Sequence, residues 1–159
     1  MPELPEVETS VKGLNILIGL KVYKVKIYTK KLRYIIPKSI IKIQKDSKIT
    51  NIQRIAKYIL IHFSSNFSIV VHLGMSGRLK IQSELTKRNK HDHFIIYFKN
   101  SKILALNDPR KFGFVDFDHT KKIYSRKYFT VLGIDALSKK LNTNYMYNKI
   151  NKTKFSWIV

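Results

Sequence analysis

YILIHFSSNFSIVVHLGMSGRLKI, residues 58–81, decides the fold. Residues 58–63 and 67–73 are apolar runs of strand length separated by Ser64, Ser65 and Asn66, and they read as two buried strands. They end in Gly74-Met75-Ser76-Gly77, after which residues 78–81 resume strand character. Two glycines three apart specify a tight turn, and Met75 must project from its tip. A methionine ordinarily fills a gap in a core. At an exposed tip it serves poorly as core and well as an apolar wedge.

Working outward toward the N-terminus, residues 49–55 and 40–43 suggest further short strands. Between residues 20 and 34, Tyr23, Val25 and Ile27 alternate with Lys24 and Lys26, which predicts a strand with one basic, solvent-facing side. Before Gly19, the helical spacing of Val7, Val11, Leu14 and Leu17 predicts a helix over residues 5–17. Toward the C-terminus, residues 82–90 form a polar loop. Residues 94–98 and 102–106 read as a hairpin around Lys99-Asn100-Ser101. Asn107-Asp108-Pro109-Arg110 is a turn, and residues 112–117 are again strand-like. Residues 120–159 hold less pattern, with Gly133 a break and residues 145–150 helical. The expected fold is mainly β with flanking helices: a β-sandwich with an N-terminal helix.

The chain has 159 residues, 44% of them hydrophobic, enough to bury one core. It has no cysteine, so neither a disulfide nor a cysteine-ligated zinc site can form. No apolar run reaches ~18 residues and no leader pattern precedes the fold, which predicts a soluble cytoplasmic protein without a membrane partner. Lys and Arg outnumber Asp and Glu by 31 to 10, a net charge of +21 that favours a polyanion such as nucleic acid. Lysine supplies 25 of the 31 basic residues. A coding bias toward lysine would produce much of that excess, so charge alone leaves a membrane surface or plain solubility open.

The opening MPELPEVET puts Pro2 ahead of Glu3, Glu6 and Glu8. Acidic residues against a helix N-terminus, with proline in the first turn, are also what an ordinary helix start shows. With Met1 removed, however, Pro2 becomes a secondary amine able to attack an aldehyde-like carbon and form a Schiff base. An α-amino group titrates near pH ~8, so a modest shift leaves a useful neutral fraction. Glu3 and Glu6 are three apart, share a helix face, and can move protons beside it. Elsewhere, Arg54-Ile55-Ala56-Lys57-Tyr58 precedes the central strands, and Lys57 alone would be one solvated lysine among many. His91 and His93 at alternate positions would share a strand face, which is weak evidence for a metal. Asp108-Pro109-Arg110-Lys111-Phe112-Gly113 is a rigid corner that aims Arg110 and Phe112.

Taken together and in this order, MPELPEVET, Arg54 to Tyr58, the Met75 turn, His91 and the Arg110-x-Phe112 corner resemble the bacterial formamidopyrimidine-DNA glycosylase family. The resemblance implies that Pro2 is the nucleophile, Glu3 a proton carrier, Glu6 its support, and Lys57 a phosphate contact that assists elimination. It assigns His91 and Arg110 to the DNA backbone, Met75 to the space left by an everted base, and Phe112 to stacking in the opposite strand. It also implies base-excision repair of oxidised purines such as 8-oxoguanine or formamidopyrimidines, by a combined glycosylase and abasic-site lyase. The partner is double-stranded DNA carrying such a base or an abasic site, and the family is monomeric. Neither metal nor cofactor enters the chemistry; the family's zinc is structural, in a finger not found here. Residues 1–131 correspond to the catalytic domain and residues 132–159 to the start of the connection toward a helix-two-turn-helix domain. Residues 154–159 read like a chain cut short, which predicts a truncated form of the enzyme that is weakly active or inactive. Two other readings remain: a catalytically silent basic DNA-binding fragment, and an endonuclease VIII-type enzyme for oxidised pyrimidines. Leu4 and Val7-Glu8-Thr9 favour the purine branch.

Overall fold

The computed structural model describes residues 2–43, 45–135 and 138–152. Met1, whose removal the amine chemistry requires, and the 154–159 end lie outside the described residues. Two four-stranded antiparallel sheets face each other behind the N-terminal helix, as the strand pattern predicts. Helix α1 (Leu4–Leu14) buries Val7, Val11 and Leu14, and a short 3-10 turn carries Leu17 into the same core before Gly19 turns the chain at φ 85°. One sheet has the order β1 (Val22–Ile27), β6 (Asp92–Phe98), β7 (Lys102–Asn107), β5 (Arg78–Ser83). The other runs β2 (Ile49–Ile55), β3 (Tyr58–Phe63), β4 (Phe67–His72), β8 (Phe114–His119).

The alternation within β3 and β4 explains their unbroken apolar sequence. Ile59, Ile61, Ile69 and Val71 point into the sandwich, whereas Leu60 and Val70 face outward and are covered by Ile123 and Phe129. A strand buried on both faces has no polar side to display. The covering residues belong to two helices of one turn each, α2 (Thr120–Ile123) and α3 (Lys127–Thr130), in the region whose sequence shows little pattern. Helix α4 (Thr143–Lys152) contains the predicted 145–150 segment. Among the described residues no helix is long and apolar enough to cross a membrane.

Three expectations need correction. Strand β1 ends at Ile27 rather than continuing to residue 34, because the N–H groups of Tyr28 and Thr29 both turn to the carbonyl of His93 and leave the ladder. Residues 40–43 are not a strand: Lys38–Lys42 form a 3-10 helix started by Pro37, which tucks Ile40 into the core. Phe112 precedes β8 instead of lying in it, since Lys111 adopts φ 56° and the N–H of Gly113 is taken by the Asp108 carboxylate.

Candidate active site and nucleic-acid interface

Glu3 caps α1, and its own N–H donates to Glu6 Oε2 at 3.0 Å, half of a reciprocal capping box. Lys57 sits on the tight turn between β2 and β3, where Ala56 takes φ 50°, and its ammonium pairs with the Glu3 carboxylate. Pro2 stands immediately ahead of that ion pair. Pro2, Glu6 and Ser10 form one wall of a cleft of roughly 470 Å³, and Met75, Ser76 and Arg78 contribute to the other. The four residues predicted for the amine centre are therefore gathered at one end of the sandwich. Arg78 and Ser10 join them without a signal in the sequence, because only the packing of α1 on β2 and β3 brings its Ser10 to the cleft that Arg78 also lines.

Arg54 holds this end together. Its Nε donates to Glu8 of α1 at 2.7 Å, and its Nη1 reaches both Asp135, at 2.9 Å, and the Ala56 carbonyl, at 3.2 Å. Burial works against its charge, yet the two carboxylates raise its pKa above the ordinary arginine value. Helix, hairpin turn and residue 135 thus share one guanidinium. In the sequence Arg54 stands only as one letter of the Arg54-to-Tyr58 motif.

Met75 and Phe112 are 40% and 44% exposed, so both project as anticipated. Their loops are joined through Asp108, which is fully buried. Its carboxylate accepts from Ser76 Oγ at 2.5 Å and from the Gly113 N–H at 2.8 Å, while Ser76 Oγ accepts from the Arg110 N–H at 3.2 Å. Gly74 adds steric contact, because a Cβ there would lie 2.4 Å from the Phe112 carbonyl carbon, and its φ is 63°. Glycine satisfies both demands. The Arg110 guanidinium rests 4.9 Å over the Phe112 ring.

The His91 and His93 rings lie side by side, edge to face at 6.5 Å between centroids, next to a bulge between Asp92 and Phe94, but among the described residues no third His, Cys, Asp or Glu joins them as metal ligands would require. His93 is buried with both ring nitrogens engaged: Nε2 donates to the Asp108 carbonyl at 2.8 Å, which leaves Nδ1 to accept from Thr29 Oγ1 at 2.6 Å. His91 stays partly exposed, its carbonyl accepting from the Asp108 N–H at 3.0 Å, so it flanks the same loop. On the outer face of the other sheet His72 accepts the Gly74 N–H at Nδ1, 3.1 Å away. Burial lowers its pKa, and Arg33 and Lys57 reinforce the effect.

The chain is thus a helix-capped antiparallel sandwich that gathers Pro2, a glutamate–lysine pair and two coupled apolar tips. The description "Formamidopyrimidine-DNA glycosylase N-terminal domain" matches residues 1–115. The chain belongs to the formamidopyrimidine-DNA glycosylase family. It is 42% identical over 156 residues to a formamidopyrimidine-DNA glycosylase of Ruthia magnifica, covering 97% of this chain and 56% of the relative. A relative of the same name in Zymomonas mobilis is 40% identical over 151 residues, covering 94% of this chain and 55% of that protein. The chain thus spans just over half the length of these relatives. The wild-type Lactococcus lactis Fpg (MutM) in complex with DNA containing N7-benzyl-Fapy-dG superposes with a TM-score of 0.72 at 29% identity, over 81% of this chain and 47% of that one. The same enzyme with DNA containing an abasic site also gives 0.72, at 28% identity, over 81% and 48%.

Proposed function

We propose that the chain carries the catalytic half of a base-excision DNA glycosylase and abasic-site lyase for oxidised purines, with Pro2 as nucleophile. The observation that supports this most is the convergence of Pro2, the Glu3–Lys57 pair and Met75 at one end of the sandwich. In this reading residues 1–131 form the catalytic domain and residues 132–159 lead toward a further domain, in a protein acting on DNA in the cytoplasm. The Pro2 nitrogen attacks C1′ of the damaged nucleotide, the bond to the base breaks, and the base leaves with a proton delivered through Glu3. The proline nitrogen then gives up its proton, the C1′–O4′ bond breaks with O4′ taking up a proton, and the opened sugar is left as an iminium at C1′. This draws electrons from C2′, which loses its proton as the 3′ phosphate departs, and the 5′ phosphate follows by a second elimination. The iminium is its own electron sink, so the reading assigns no metal or cofactor. Lys57, His91 and Arg110 hold phosphates, Met75 enters the gap left by the flipped nucleotide, and Phe112 stacks into the opposite strand.

Borohydride trapping on abasic-site DNA tests this reading. Only protein lacking Met1 has a free proline nitrogen, so only that form is expected to give a covalent adduct. Glu3→Gln should spare trapping at a pre-formed abasic site more than excision of an intact oxidised purine, because Glu3 is placed in the glycosylase step. Equal trapping by protein that retains Met1 would move the nucleophile to a lysine. DNA binding without any adduct would leave the chain a silent binding module.

A further inference from the structure

The outward face of the β1–β6–β7–β5 sheet takes no part in the amine chemistry, yet it carries cations set on tyrosine rings. Val25, Ile27, Leu79 and Ile81 pack inward against the main core, which turns Lys26 of β1 and Lys80 of β5 outward. A bulge between Val22 and Lys24 brings Tyr23 and Lys24 together on the outward side as well. There the Lys24 ammonium lies 4.7 Å from the centroid of the Tyr97 ring and 5.5 Å from that of Tyr23, and Lys45 approaches the Tyr23 ring at 5.8 Å. The Tyr28 hydroxyl meets that of Tyr97 at 2.8 Å, and the Arg88 guanidinium sits 4.4 Å over the Tyr28 ring. Tyr97 in turn packs on Ile95, Ile103 and Ala105, a small apolar floor separate from the main core. The result is a stripe in which Tyr23, Tyr97 and Tyr28 are interleaved with Lys45, Lys24 and Arg88.

A cation resting on a ring keeps its whole charge, whereas one paired with a carboxylate is neutralised. Asp46 is already held by Lys99, and the single charge of Glu84, next to Tyr23, is outnumbered by Lys24, Lys45 and Arg88. Tyr23 and Tyr28 are also exposed, so positive charge and open ring surface lie along one line. A duplex would meet these cations with its phosphates but keep its base faces stacked inside. A single strand presents a phosphate and an unstacked base with every nucleotide, and so matches both components. One end of the stripe adjoins the interface described above. Arg88 donates to the carbonyls of Asn89 and Asp92, on either side of His91, at 3.1 and 3.2 Å, and the Tyr28 N–H donates to the His93 carbonyl at 2.8 Å.

We propose that this stripe binds single-stranded nucleic acid, with bases stacked on Tyr23 and Tyr28 and phosphates on Lys24, Lys45 and Arg88. None of the residues assigned to excision takes part, so this binding does not depend on the amine chemistry.

The test is fluorescence anisotropy with labelled oligothymidylate and oligouridylate, each carrying one 5-iodouracil for photocrosslinking. Binding is expected, with crosslinks mapped by mass spectrometry to Tyr23, Tyr28 or Tyr97, and the tighter of the two oligomers identifies the preferred sugar. Tyr23→Ala should weaken binding by about fivefold or more, the lower end of what one stacked base contributes, at an unchanged salt slope. Lys24→Gln should reduce the magnitude of that slope by about 0.7, the share of one phosphate on a single strand. Tyr23 is exposed, so its truncation should leave the fold intact, and borohydride trapping on abasic duplex should be unchanged in both variants. Binding lost in Phe112→Ala but indifferent to Tyr23→Ala would put the strand in the duplex cleft and overturn the proposal, leaving the excision reading intact. Binding to phosphatidylserine vesicles that both variants weaken, with no oligonucleotide bound, overturns it in favour of an anionic membrane surface. Absence of oligonucleotide binding overturns it whatever the trapping assay shows, whereas failed trapping with normal oligonucleotide binding counts against the excision reading alone.

Discussion

Asp108 is a buried carboxylate whose value lies in two donors from different loops. Asp108→Ala strands the buried Gly113 N–H, at about 1–3 kcal/mol, and turns the half-buried Ser76 hydroxyl over to solvent. Asp108→Asn keeps one acceptor and should cost clearly less in chemical denaturation. Gly74→Ala combines a positive φ with a backbone collision at 2.4 Å, and should cost about 3 kcal/mol or more, beyond ordinary αL strain. A midpoint within experimental error of wild type would mean that the Phe112 loop yields freely. The sequence shows why Met75 is exposed, since glycines beside an apolar residue are a local signal. The role of Asp108 is hidden because its partner Ser76 lies 32 positions away, and that of Arg54 because Asp135 lies 81 away.

Helix α1 was legible from Val7, Val11 and Leu14, and its start from Glu3 and Glu6, because capping and periodicity are local. Glu6→Ala opens the capping box and should cost about 1 kcal/mol in stability. The 3-10 turn at Ile40 misled because a β-branched run resembles a strand; only the core that accepts Ile40 decides otherwise. Helices α2 and α3, four residues each, are too short to show a period. In the β3–β4 pair, burial lowers the pKa of both His62 and His72. An unfolded histidine takes up a proton near pH ~6.5 while these folded ones resist it. Their contribution is therefore present above that pH and is lost as pH falls through about 6.5 toward the lowered folded values. The thermal midpoint should drop between pH 7.5 and 5.5, and His72→Phe, which keeps the stack on Phe114, should shrink the drop. An unchanged drop in that variant would assign the acid sensitivity elsewhere.

For the molecule as a whole, the net charge of +21 makes duplex affinity an ionic-strength effect. With Lys57, Arg110 and one further lysine neutralising phosphates, the slope of log K against log salt should be about −2.7, from ~0.9 per phosphate. A slope near zero would remove the duplex as partner. The two-sheet architecture could be read from alternation and turn chemistry, whereas the gathering of Pro2, Lys57 and Arg78 exists only after the sheets close on one another. The backbone of Gly74 lies directly on that of Phe112, so pressing on either projecting side chain displaces the other. A duplex meets a single tooth rather than two fingers. The parting of a base pair is then one event in time, with one waiting period, and a single-molecule record of strand opening should show one dwell where independent loops would leave two.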